Sequence, residues 1–335
     1  MHEELDSQLA KLAGRGHRAL VAGVIRGTER VWRGWPAGAD PPDERSLFEI
    51  GSITKAFTGV LLADMCLRGE VALEDPLSRH LPEPSPAWRR REPTLLELAT
   101  HRSALPNTPK GMSRRELLYS LGLSERDPWA GLSEPGYERL VTRESPRRAP
   151  GGGIRYSSMA VGLLGDALAA RADKTYEELL AERVLEPLGM AATAIEVAPH
   201  SLAHLLPGHS RRGRPRPPIQ DFMPAAGSLR SNAEDMLRFL AACLEPPAGP
   251  PGPALGLAQK AHARIGKRLE IGLCWMISNR PRRPRVVWHN GGTWGFRSFA
   301  GFAPERRTAA IVMTNTARSV DRPGFRLVEQ GGAVG

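Results

Sequence analysis

The stretch LFEIGSITKAFTGVLLADMCLRG, residues 47–69, organises the reading of the whole chain. Its apolar residues Ile53, Ala56, Phe57, Val60, Leu61 and Met65 recur at helical spacing, and Leu62 and Cys66 widen the stripe until little polar face remains. The pattern predicts a buried helix over residues 53–68. Ser52 has the right side chain to start it, and Gly69 stands where a left-handed residue would close it. Ser52 and Lys55 are three apart and share a face of that helix. A serine hydroxyl is a weak nucleophile at neutral pH and needs a base within hydrogen-bond reach. Lysine can be that base only when uncharged, and burial favours the uncharged amine. This is the only S-x-x-K in a chain of 20 serines and six lysines, although about one such chain in three contains a match by chance.

Upstream of this helix, residues 18–25 (RALVAGVI) form a β-branched apolar run, Gly27 and Thr28 give a turn, and residues 31–35 return, which predicts a hairpin. A Pro-rich loop over residues 36–43 follows. Downstream, residues 82–224 change character. Short helical patterns at 94–100, 113–121, 158–170 and 175–184 are separated by Pro/Gly-rich loops with little strand signal, as in a helical insertion. From residue 225 the opening pattern resumes, with a helix at 232–244 and a Pro/Gly-rich connector at 245–256. Strands are expected near 270–277, 285–289, 297–302 and 308–315, the last two joined by the turn at 304–307.

A chain of 335 residues, 41% hydrophobic, can bury a large core as one large domain or two ordinary ones. Glu3, Glu4, Asp6, Lys11, Arg15 and Arg18 interrupt the first thirty residues, which show no apolar core of a secretory signal. No segment approaches the roughly 20 apolar residues of a membrane span. Cys66, Cys243 and Cys274 lie in apolar periodic stretches, as reduced thiols do. The expectation is a cytoplasmic protein that engages no membrane. Its net charge of +10 comes almost wholly from arginine, which rises together with Ala, Gly and Pro, as genome composition would produce. No zinc-ligand spacing, RNA-binding aromatic motif or heptad accompanies the basic runs, so neither a nucleic-acid partner nor a cofactor is expected.

Two further motifs stand at element ends. Tyr156 is the only one of four tyrosines with Ser or Asn two positions on, in Tyr156-Ser157-Ser158, directly before a predicted helix. A phenol there can share a proton shuttle with lysine. His289-Asn290-Gly291-Gly292 ends a β-branched strand, and its paired glycines let a backbone N–H approach a reacting carbonyl oxygen.

In this order the motifs resemble those of the serine β-lactamase, penicillin-binding protein and esterase superfamily, nearest the class C branch: S-x-x-K, then Y-x-N, then K-T-G or H-x-G. The blocks GEVALEDPL (69–77), LATHRSALP (98–106), EPLGM (186–190), AGSL (226–229) and IGLCW (271–275) are also similar, so the resemblance covers about residues 18–316. It implies an α+β, β-lactamase-like fold: an antiparallel sheet flanked by helices from residues 1–81 and 225–335, an inserted all-helical domain over 82–224, and an active site in the cleft between them. It also implies that Ser52 is acylated, that Lys55 takes its proton, and that Tyr156 passes the proton to the leaving group. The N–H groups of Ser52 and Gly292 would form the oxyanion hole. His289 falls at the lysine of K-T-G. Ser158, Asn290 and Gly291 would border the substrate, and Trp275 and Trp294 would line an acyl pocket or else pack in the core. His101 reads as a structural residue.

Two departures bear on the substrate. Ser158 stands where asparagine is usual, so the amide that orients a peptide or lactam side chain is missing, and H-x-G replaces K-T-G. They favour a serine acyl-enzyme hydrolase of small-molecule esters or amides over a β-lactamase. The alternatives are an intracellular transacylase and an inactive binding protein on the same fold, since a fold does not fix a function. Arginines at 211–216 and 280–285 are expected to receive a small-molecule acyl donor that is acidic or carrier-bound.

Overall fold

The computed structural model describes residues 1–35, 41–81, 85–120 and 123–330. Its centre is an eight-stranded antiparallel sheet. The strands are β1 (Leu20–Arg26), β2 (Glu29–Trp35), β3 (Ala263–Ile265), β4 (Leu269–Ile271), β5 (Met276–Ser278), β6 (Val286–Gly292), β7 (Arg297–Ala303) and β8 (Thr308–Thr314). Their order across the sheet is β2-β1-β8-β7-β6-β5-β4-β3, so the first hairpin is sealed against the last strand, with Leu20 opposite Thr314.

Helices cover both faces, and strand alternation sorts side chains between them. On one face Val21, Ile25, Ile311 and Met313 join the large core around α2 (Thr54–Leu67), α3 (Ser158–Ala172) and α4 (Ala233–Leu244). On the other, Leu20, Ala22, Val24, Ala310 and Val312 pack under α1 (His2–Ala13) and α5 (Asp321–Gln330). Every residue of β8 is therefore buried, which explains its unbroken apolar run.

Helix α2 is as buried as its sequence requires: every residue from Thr54 to Met65 lies in the interior. Gly69, at φ +71°, ends it in a Schellman turn. The Glu70 N–H donates to the Met65 carbonyl and the Gly69 N–H to the Cys66 carbonyl, both at 3.0 Å. Phe57 of α2 stacks on Phe239 of α4 with ring centroids 4.0 Å apart. The 272–275 segment crosses α2 at Gly59, where a Cβ would lie 2.0 Å from the Leu273 oxygen.

The structure departs from the expected elements in several places. The strand expected at 270–277 is two strands, β4 and β5, paired with each other, because the backbone turns through Cys274 at φ +59°. The connector after α4 carries a helix, Gly252–Ala258. Helices α1, α5 and Glu134–Thr142 were not anticipated. The middle segment is not all helical: Gly208–His209 pairs with Pro215–Arg216. The expected boundary at residue 82, the helix end at Leu121 and most of the Pro-rich loop after Trp35 lie outside the described residues. No helix among the described residues is long and apolar enough to cross a membrane.

Candidate active site

Ser52 sits in a tight turn, Gly51–Ile53, that leads into α2. Gly51 has φ +53°, and a Cβ there would lie 2.6 Å from the Gly292 nitrogen, so only glycine lets the end of β6 rest against this turn. Distant segments fasten the turn. Ser298 of β7 donates its hydroxyl to the Ile50 carbonyl at 2.7 Å. The Ile50 N–H donates to Leu229, and Phe48–Glu49 pairs with Arg230–Ser231. Inside the turn, the Thr54 hydroxyl donates to Gly51 at 2.7 Å and accepts from the Leu229 N–H at 3.2 Å.

Lys55 is fully buried one helical turn below Ser52. Its Nζ lies 3.0 Å from Ser52 Oγ and 2.5 Å from the Ala226 carbonyl oxygen. It also stands over the Tyr156 ring, 5.1 Å from the centroid.

Tyr156 enters from the loop before α3, whose N-cap is Ser157. The Ser157 hydroxyl donates to Pro106 at 2.6 Å, and the Ser158 N–H donates to Asn107 Oδ1 at 3.1 Å. The residue that aims the tyrosine is His101, at φ +58°. Its ring lies 4.5 Å from that of Tyr156, its Nδ1 accepts the Ser157 N–H at 3.3 Å, and its carbonyl accepts the Arg155 N–H at 2.8 Å. His101 therefore belongs to the site rather than to the remote framework. Burial, followed by the charges of Lys55 and His289, pushes its imidazole down to about 3.

On β6, His289 and Gly291 face the site while Asn290 faces away, as strand alternation demands. Asn290 donates to Asp321 of α5 at 3.2 Å and does not reach the cleft, which corrects its expected place beside the substrate. Gly291 contributes backbone only: a Cβ there would overlap the Ile50 carbonyl at 1.8 Å. His289 is buried, 6.3 Å from Tyr156 between ring centroids, and burial together with Lys55 pushes it down to about 3. Its Nδ1 donates to the Asn290 carbonyl at 2.6 Å, so Nε2 carries a lone pair. His101, whose Nδ1 is an acceptor, carries its proton on Nε2. Both Nε2 atoms are buried without a partner among the described residues.

Ser52, Tyr156, Ser158, Gly292 and Trp294 meet at one cavity of about 530 Å³. Its apolar wall is Tyr119, Trp129, Phe222 and Met223, and Arg211, Arg216 and Arg297 also face it. Asn107, which the sequence did not single out, puts an amide beside Ser158. Trp275 is not part of it: fully buried, it packs against Phe239 and edge-on to Phe302. Nor are the distal arginines, since Arg280 and Arg283 pair with Glu329 and Arg285 donates to the Gln259 carbonyl. Among the described residues no cluster of three or more His, Cys, Asp or Glu could hold a metal ion.

Known proteins share this fold. The solved structure of a class C beta-lactamase mutant superimposes with a TM-score of 0.80 at 16% identity, covering 97% of this chain and 96% of that one. In sequence, the chain is 27% identical to the D-alanyl-D-alanine-carboxypeptidase/endopeptidase AmpH of Escherichia coli K12 over 321 residues, 90% of this chain and 80% of that protein. It is 26% identical to a beta-lactamase of the same organism over 313 residues, 83% of this chain and 78% of that protein. The beta-lactamase family profile matches residues 5–331, from α1 through α5. With the fold and the sequence match spanning the same nearly complete length, the chain belongs to the beta-lactamase family, with the class C fold.

Proposed function

We propose that this protein is a serine hydrolase that cleaves a small-molecule ester or amide through an acyl-enzyme on Ser52. The observation that carries the reading is the pair of contacts at Lys55, 3.0 Å to Ser52 Oγ and 2.5 Å to the Ala226 carbonyl. As it stands, Lys55 Nζ donates to both oxygens; an amine that has given up one proton keeps an N–H for Ala226 and turns its lone pair to the serine O–H.

In this reading Ser52 Oγ bonds to the substrate carbonyl carbon as its proton passes to Lys55. The oxyanion forms against the N–H groups of Ser52 and Gly292, which Gly51 allows to come together. The proton travels through Tyr156 to the leaving group, whose bond to the acyl carbon breaks. Water then repeats the relay in reverse and frees the acid. Ser158 offers a hydroxyl where the family pattern has an amide, and Asn107, which brings an amide into the same cavity, has its oxygen taken by the Ser158 N–H, so the preference for esters over lactams and peptides rests on that departure in the sequence.

Incubation with an activated ester and intact mass measurement tests this. An acyl adduct should form on the wild type and be absent in Ser52→Ala, whereas a wild type that forms none would be a binding protein on a hydrolase fold. A second reading, transacylation, is favoured by the cavity of about 530 Å³, which has room for an acceptor beside the acyl group. Faster decay of the adduct with added amines or alcohols than in water identifies it. We also propose a cytoplasmic location, supported by three unpaired cysteines, and cell fractionation checks it.

A further inference from the structure

Arg297 opens β7 opposite Gly292, and its Nη1 donates to the Thr293 and Phe296 carbonyls at 2.7 Å each. A Cβ built on Gly292 would lie 3.0 Å from that same Nη1, so the guanidinium packs on the side-chain side of the residue whose N–H is proposed to hold the oxyanion. Arg216 stands over the Tyr119 ring, 4.1 Å from its centroid, and donates to the Tyr119 carbonyl, while Tyr119 meets Trp294 edge-on. Arg211 faces the same cavity. Among the described residues none of these three arginines forms an ion pair, whereas the neighbouring Arg214, outside the cavity, pairs with Glu125. The carboxyl in the cavity lining is Glu116. It is taken up by Thr108 and Trp129, and burial pushes its acidity toward the neutral form. Three guanidinium groups therefore border a partly enclosed space in which no carboxylate pairs with them, and the opposite charge that acts on Arg297, Asp321 of α5, lies outside the cavity lining, an arrangement that favours an anionic ligand.

The direction of the cavity follows from β6. Tyr156 packs at the His289 end of the strand, and Arg297 stands at the Gly292 end, three residues or about 10 Å further on. A leaving group that takes its proton from Tyr156 points toward His289, so the acyl group runs the other way, past Gly292.

We propose that Arg297, with Arg216 and Arg211 beyond it, receives a carboxylate or phosphate carried on the acyl part of the substrate. The preferred donors are then esters, thioesters or amides of short dicarboxylic or phosphorylated acids. The proposal rests on the acyl-enzyme reading and names the substrate class of that site.

Two substrate pairs test it. Nitrophenyl hemiglutarate and nitrophenyl butyrate differ only by the acyl carboxylate, and the ratio of their kcat/KM values cancels general losses of fold or activity. Arg297→Gln should lower that ratio by about tenfold or more, and Arg297→Lys should restore part of it. An unchanged ratio overturns the proposal. Butyryl-coenzyme A and S-butyryl-N-acetylcysteamine place the anion in the leaving group instead. A variant that lowers this second ratio while sparing the first also overturns it. A wild type that cleaves none of the four and forms no adduct defeats the acyl-enzyme reading alone. In that event calorimetric titration of Ser52→Ala with glutarate and with inorganic phosphate decides. Binding weakened about tenfold by adding Arg297→Gln supports the site and shows which anion it prefers. Absence of binding by either anion rejects it.

Discussion

Gly51 and Gly292 meet backbone to backbone, so closely that a methyl group on the first would press to 2.6 Å from the nitrogen of the second. This contact sets the nucleophile turn against the end of β6, and it makes the first prediction a paired one. Gly51→Ala should destabilise the fold by about 1–3 kcal/mol through its positive φ and lower the acylation rate by about a hundredfold as Gly292 is displaced. Gly69→Ala has a similar φ of +71° but meets nothing within 4 Å, so it should cost about 1 kcal/mol and leave acylation intact. Urea melts and burst kinetics separate the two, and equal activity losses would contradict the account.

Tyr156→Phe keeps the ring against His101 and below Lys55 while removing the hydroxyl. The predicted loss in kcat is about 10²- to 10⁴-fold for alkyl esters, with stability changed by less than about 1 kcal/mol. Nitrophenyl esters, whose leaving group departs without a proton, should lose much less. A loss independent of the leaving group would place Tyr156 outside the relay.

Acid should weaken the fold through His101 and His289. Both are pushed down to about 3 from an ordinary value of 6.5, so between those limits the unfolded chain takes up protons that the folded chain refuses. Stability therefore falls as pH drops below 6.5, by about 2 kcal/mol per histidine at pH 5. Asp166 of α3, pushed up to about 7 by burial and by Glu134, works in the opposite sense, being protonated in the fold where the unfolded chain is ionised. The histidine contribution is isolated by difference: His101→Asn should lose about 2 kcal/mol less than wild type between pH 7.5 and pH 5 in urea titrations. Parallel losses would mean that His101 is protonated in the fold.

The two tryptophans should separate stability from binding. Trp275→Ala empties a fully buried site against Phe239 and Phe302 and should cost about 3–5 kcal/mol. Trp294→Ala, on the cavity wall, should raise KM for aromatic or long-chain acyl esters with a smaller effect on the melting midpoint. A larger loss of stability in Trp294→Ala would reverse the assignment.

Features carried by local pattern were readable before the structure. The S-x-x-K helix, its closing glycine, the paired glycines of β6 and the Tyr156 turn depend on a few neighbouring residues, and they stand where the spacing places them. Asn290 was misplaced although the information was present, since a strand that turns His289 inward turns its neighbour outward. Trp275 was ambiguous because it lies between β4 and β5, in an irregular segment where no periodicity assigns a face. His101 was read as structural although it lies in the family-like block at 98–106, and Arg297 was not singled out at all. Their roles come from contacts with segments far along the chain, which no local pattern reports. Helix α1 was overlooked despite Leu5, Leu9 and Leu12 at helical spacing, because the hairpin after it has the stronger pattern.

The position of β1 in the sheet has a consequence for synthesis. This strand lies between β2 and β8, so its inner edge stays unsatisfied until residues 308–314 arrive, after nearly the whole chain has been made. The Ser52 turn likewise waits for Ile50 to be gripped by Leu229 and Ser298. Sheet closure and assembly of the nucleophile are thus a single late event dominated by long-range contacts, which makes folding slow and leaves any chain cut short before β8 chemically silent.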